Sequence, residues 1–172
     1  MTDADDMYSN WVTDPEVSRF WTWDPHENIK DTKEILTEWI GEYIKPDYYH
    51  WIIVLKETMQ AIGFIYFADI NNKECSLSVH YGLSRKYWNQ GIITEACKRV
   101  IDFAFNDLGV KKIHSNHHVE NPASGRIMQK CGMRHVDTAY MELAQKHLIG
   151  AERLSGERHV YEITSFDYKH KI

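Results

Sequence analysis

The sequence predicts a mixed α/β domain spanning residues 1–172, and two changes of hydrophobic period carry that prediction. Apolar residues recur at helical spacing up to Pro46, alternate as strands from His50 to Leu83, and return to helical spacing after Gly91. Composition is the third observation. A content of 43% hydrophobic and 13% aromatic residues is enough for a packed core, in a chain whose length suits one domain.

The first stretch reads as short helical pieces broken by "TDPEV" and "TWDPHEN". A clear helix follows, with Ile35, Leu36, Trp39, Ile40, Tyr43 and Ile44 on one stripe behind an Asp31/Glu34 capping signal, and Pro46 stops it. "HWIIVLK" and "AIGFIYF" flank "ETMQ" as an antiparallel hairpin. "SLSVHYGL" then alternates apolar Leu77, Val79, Tyr81 and Leu83 against small or polar Ser76, Ser78, His80 and Gly82. From Gly91 to Leu108 a helix buries Ile93, Cys97, Val100, Ala104 and Leu108, with Gly109 as its C-cap. "VKKIHSNHHV" is a strand, and "ENPASGRIMQKCGM" spells a short helix with Asn121 as N-cap, Pro122 in its first turn and Gly132 past its end. "RHVDTAYMELA" and "RHVYEITSFDY" close the chain as strands around a polar excursion at 150–156. One hydrophobic core is expected to serve all of it.

Net charge and cysteine usage bound the function. A formal charge of −5 argues against a general nucleic-acid or anionic-membrane binder and leaves room for cationic acceptors. Cys75, Cys97 and Cys131 are too few and too scattered for a disulfide framework and suit a reducing compartment. The acidic start "MTDADDMYSNW" lacks the order of a signal peptide, and no apolar run approaches the roughly 20 residues of a membrane span, so a cytoplasmic location is expected. His114, His117, His118, Cys131 and His135 cluster in sequence, but strand neighbours face opposite ways and no CxxC or HExxH spacing occurs, so no metal is assigned.

The segment "RKYWNQGIITEA" concentrates the chemistry. A strand running into a turn and a helix sets the helix N-terminus at the sheet's carboxyl edge, where unpartnered N–H groups suit a phosphate. Gly91 lets backbone approach such an anion without a Cβ. Arg85, Lys86, Lys98 and Arg99 make this the most basic neighbourhood of an acidic chain.

This segment and "NPASGRIMQKCGM", with Asn121 thirty residues after Gly91, together resemble the GNAT superfamily of acyl-CoA-dependent N-acyltransferases, and within it the ribosomal-protein N-terminal acetyltransferase branch. "NWVTDPEVSRFWTW" is similar to the same branch. The resemblance implies a mostly antiparallel central sheet with splayed middle strands, flanking helices and acetyl-CoA as co-substrate. It implies pyrophosphate binding by the loop of Trp88, Asn89, Gln90, Gly91, Ile93 and Thr94, and pairing of the pantetheine arm near Leu83. Asn121 and Ser124 match the second motif near the sulfur, and Lys130 lies within reach of the cofactor. The chain departs from the pattern in four places. Asn89 replaces a glycine, Ile93 a small residue and Ser78 an acid, and the family's opening edge strand is absent or donated from elsewhere, which leaves room for a homodimer.

Transfer of acetyl from a thioester needs a free amine, and a lysine amine is free only about once in two thousand molecules at pH 7, against about one in ten for an α-amine. Without an acid at 78, the expected acceptor is a primary amine of low basicity, a protein N-terminal α-amine or a small amine. His80, on the same strand face as Ser78, is the candidate base. Ser124, in the first helical turn, is the candidate acid for the leaving thiolate, and Asn121 contacts pantetheine or acceptor. Aromatic residues of the first third, Trp11, Phe20, Trp21, Trp23, Trp39, Tyr48 and Tyr49, are candidates for the acceptor wall. The expectation is therefore an acetyl-CoA-dependent N-acetyltransferase acting by direct amine attack in a ternary complex. A non-catalytic acyl-CoA-binding module and an aminoglycoside or polyamine acetyltransferase are the alternatives.

Overall fold

The computed structural model describes residues 2–21, 23–141 and 155–170. Positions 142–144 of the penultimate strand and 150–154 of the polar excursion lie outside the described residues.

The N-terminal third is helical. Helix α1 (Thr2–Met7) continues as a π-helical turn over Tyr8–Val12. "TDPEV" begins a helix instead of breaking one: the Asp14 carboxylate accepts from Glu16 N at 2.9 Å and opens α2 (Pro15–Ser18) with proline in its first turn. Helix α3 (Ile29–Glu42) starts one turn earlier than the Asp31/Glu34 signal, because Asn28 sits in extended conformation and forms a reciprocal capping box with Asp31. Its buried stripe is narrower than expected. Thr32 and Leu36 are covered, whereas Ile44 is 90% exposed, since the helix has ended at Glu42 before that turn.

The strands form one sheet: β1 (His50–Val54), β2 (Ala61–Asn71), β3 (Ser76–Leu83), β4 (Lys112–His118), β5 (Arg134–Met141) and β6 (Gly156–Thr164), in the order β1-β2-β3-β4-β6-β5. Every neighbouring pair is antiparallel except β3 and β4. Strand β1 forms one edge, and among the described residues no strand precedes α1. Helix α4 (Ile92–Asn106) makes the crossover between the parallel strands, and α5 (Pro122–Lys130) follows β4. "SFDY" is not strand. The Thr164 hydroxyl and the Asp167 carboxylate cap each other's backbone N–H and turn the chain into α6 (Ser165–Lys169).

Two apolar clusters, not one, flank the sheet. Ile62, Ile65 and Phe67 of β2 face the cluster under α4 and α5, while Ala61 and Phe64 face the one under α1 to α3. A strand buried on both faces reads as the continuous run "AIGFIYF".

Candidate active site

The site begins where the two parallel strands separate. Strands β3 and β4 pair over Ser76–Ser78 and Lys112–His114 only. Beyond that point the Ser115 hydroxyl donates to Val79 O at 2.8 Å, where a ladder partner would stand. Backbone polarity alternates along a strand, so the N–H and C=O of Tyr81 and the N–H of Leu83 also turn toward the gap. The C=O of Leu83 is already occupied by Trp88 Nε1 at 2.8 Å, which ties the loop before α4 to the end of β3.

At the mouth of the gap two residues have positive φ, Asn89 at 61° and Gly91 at 83°. Asparagine tolerates the left-handed region better than most residues, so it can stand where the family has glycine. Gly91 caps α4 without a side-chain bond, and the ladder starts with Glu95 N on Gly91 O at 3.0 Å. The N–H groups of Ile92, Ile93 and Thr94 therefore have no intrahelical partner. The Ile93 side chain is buried in the core under α4, so its size does not crowd the loop.

A cleft of about 450 Å³ runs from this turn into the gap, lined by Leu83, Trp88, Asn89, Gly91, Thr94 and, from α5, Arg126 and Lys130. Gln90 does not line it; its amide donates to Lys86 O instead, at 3.1 Å. The basic neighbourhood is also rearranged. Arg85 pairs with Asp14 at 2.9 Å and Arg99 with Asp102 at 3.3 Å; of the cations lining the cleft, Arg19 pairs with Glu120 at 3.3 Å, and Arg126 and Lys130 come from α5.

Deeper in, α5 meets the parted strand. Asn121 Oδ1 accepts from Ser124 N at 3.4 Å, and Ser124 Oγ lies 3.0 Å from the Tyr81 hydroxyl, which also reaches Ser124 O at 3.1 Å. The sequence pointed to Ser124 and Asn121 but not to Tyr81, which read as one more apolar strand residue. Of the seven aromatic residues expected to wall the acceptor pocket, Phe20 and Trp21 line the cleft, whereas Trp11 is fully buried.

A second, smaller cavity of about 100 Å³ shares Tyr81, Asn121 and Ser124 with the cleft and is lined as well by His80, Asn116, His117 and Arg158. His117 packs tightly under α5: a Cβ at Gly125 would lie 2.5 Å from its Nε2. His80 stacks on Tyr66, and burial lowers its pKa from 6.5 to about 4 although the Asp69 carboxylate pulls the other way. His50, packed against Trp39, is lowered to about 4 by burial as well. Both histidines are neutral when folded and titrate near 6.5 when unfolded. Their contribution to stability is therefore complete above pH 6.5 and is lost as pH falls toward 4. Urea midpoints are expected to drop between pH 7 and pH 5, and His50→Gln should flatten that drop.

Strand alternation splits the run of histidines that lie close in sequence, although His135 meets the same His159 and Tyr161 rings as His117. His114 lies 3.9 Å from Asp69, while His117 packs beside His159 and Tyr161. Among the described residues no group of three His, Cys, Asp or Glu side chains could hold a metal ion, and no helix is long and apolar enough to cross a membrane.

A sheet parted between parallel strands, with a left-handed turn and free helix N–H groups at the opening, defines an acyl-coenzyme A transferase fold. The family model described as the acetyltransferase (GNAT) domain matches residues 1–134. The chain belongs to the GNAT family and is an acetyl-CoA-dependent N-acetyltransferase. The uncharacterized N-acetyltransferase p20 of Bacillus licheniformis is 25% identical over 128 residues, covering 74% of this chain and 71% of that protein. The structure of a GNAT-family acetyltransferase from Bacillus anthracis superposes with TM-score 0.77 at 19% identity, over 95% of this chain and 90% of that one. The spermidine N-acetyltransferase of Vibrio cholerae in complex with CoA and spermine gives 0.76 at 16% identity, over 98% and 93%.

Proposed function

We propose that this chain acetylates a weakly basic primary amine, an α-amine at a protein N-terminus or on a small molecule, by direct attack in a ternary complex. The observation that carries the reading is the gap between β3 and β4. Two cavities meet along it: one holds the Gly91 turn, the other holds His80, and Tyr81, Asn121 and Ser124 line both. The N–H groups of Ile92, Ile93 and Thr94, with Lys130 alongside, hold the diphosphate of coenzyme A. Tyr81 and Leu83 offer backbone partners to the pantetheine arm. The bound coenzyme supplies an activated acetyl thioester. Ser124 donates a proton to the departing sulfur from the first turn of α5, where the helix dipole favours the thiolate. The resemblance in "RKYWNQGIITEA" and in "NPAS" supports placement in the ribosomal-protein N-terminal acetyltransferase branch.

Basicity decides between acceptors. A histidine whose pKa is near 4 is too weak to deprotonate a lysine-like ammonium, but it can take a proton as the new N–C bond forms on an amine already free. That favours an amine of pKa near 8. Polyamine transfer is the second reading, and the spermine complex of the Vibrio cholerae relative favours it.

The test is a panel of N-terminal peptides, amino-acid amides and polyamines with acetyl-CoA, followed by coenzyme release. The largest kcat/KM is expected for an α-amine. Preference for spermidine would transfer the assignment to polyamines. Coenzyme binding by calorimetry without transfer to any amine would refute the acceptor reading altogether.

A further inference from the structure

Asp69 lies outside every motif. It occupies a bulge in β2, between the pairs Ala68↔Ser78 and Asn71↔Ser76, with a left-handed φ of 48°. The bulge brings its carboxylate 2.7 Å from Ser78 Oγ, and the same oxygen of Ser78 lies 2.9 Å from His80 Nε2. A carboxylate only accepts, so the single hydroxyl proton of Ser78 points at Asp69. Ser78 Oγ can then only accept from the ring, which requires the Nε2–H tautomer of His80 and leaves the lone pair on Nδ1.

We infer that Asp69, through the Ser78 hydroxyl, is a positioning residue for His80, holding the ring with Nδ1 ready to take the amine proton. The inference rests on His80 being the base of the proposed reaction. In that step the amine nitrogen bonds to the thioester carbonyl carbon, the C–S bond breaks, the amine proton goes to His80 Nδ1, and the thiolate takes a proton from Ser124. Both side chains recover by exchange with water. The imidazolium so formed keeps its Nε2–H on Ser78 and is stabilised by the Asp69 charge beyond. Asp69 acts against two other groups, since His114 on β4 and Arg158 on β6 both disfavour charge on His80. Its side chain is 69% exposed, so one end of the chain is in water while the other reaches the cleft. The acid that the family places at position 78 is thus replaced by a hydroxyl that borrows its charge from the next strand.

Two variants and one substrate-free readout test this. Asp69→Asn keeps the left-handed backbone, which asparagine accepts, and Ser78→Ala removes the intermediary. Long-range proton–nitrogen spectra of His80 at pH 7.5 are expected to show Nε2–H in the wild type and mixed tautomers in S78A. Both variants should lower kcat about 10- to 100-fold, less than the roughly 100- to 10,000-fold a general base itself contributes because His80 remains, with coenzyme Kd and amine KM within about threefold. The His80 pKa should fall below its wild-type value in D69N. An Nδ1-protonated ring in the wild type overturns the assignment even where transfer proceeds, because the spectrum needs no substrate. Wild-type kcat in both variants overturns it as well.

Discussion

Gly91→Val is expected to leave the protein folded and to weaken coenzyme A binding by at least about 100-fold, some 2.7 kcal/mol. The two halves of that expectation have separate causes. A Cβ built on Gly91 meets no protein atom within 4 Å, so the fold loses no packing. The φ of 83° is the difficulty, because an L-residue in the left-handed region costs about 1–2 kcal/mol and a β-branched one tolerates it worst. Valine relieves that strain by turning the peptide, which re-aims the N–H groups ahead of α4. Its methyl groups also enter the space in front of those donors. Calorimetry with coenzyme A alone, beside a thermal melt, separates the two effects. Wild-type affinity in a folded G91V protein would remove the diphosphate from this turn.

Ser124→Ala tests the chemistry and not the binding. A fall of about 100-fold in kcat is expected, at the lower end of what a positioned general acid contributes, with coenzyme affinity within about threefold. The substitution is structurally mild. Asn121 still caps α5 through the backbone N–H of residue 124, and the Tyr81 hydroxyl keeps the carbonyl of residue 124 as acceptor at 3.1 Å. No buried group is orphaned. Tyr81 itself is the competing acid, since its hydroxyl sits 3.0 Å from Ser124 Oγ and burial keeps it protonated. Single-turnover rates for S124A and Tyr81→Phe distinguish them: an unchanged rate in S124A with a collapsed rate in Y81F would pass the role to Tyr81.

Much of this architecture was legible in the residues. Strand β3 and helix α5 fell where alternation and the Asn121–Pro122 cap put them, and α4 began at the one glycine before its apolar stripe. The errors share a cause. The start of α3, the helix in "SFDY" and the helix in "TDPEV" were all set by side-chain caps, from Asn28, Thr164 and Asp14, that compete with periodicity over a single turn. The second apolar cluster is not legible in the sequence because "AIGFIYF" shows no alternation when both faces are covered.

The order of strands and helices, the Gly91 turn and the Asn121 cap are local properties of the chain, written in neighbouring residues and their backbone preferences. Which side chains share the cleft is not local. Asp69 reaches His80 only through a bulge that shifts the register of β2 on β3, and Tyr81 reaches Ser124 only because β3 and β4 stop pairing after three residues. The contacts join Asp69 to Ser78, 9 positions on, and Tyr81 to Ser124, 43 positions on, and no period in a linear sequence encodes where a ladder shifts or ends.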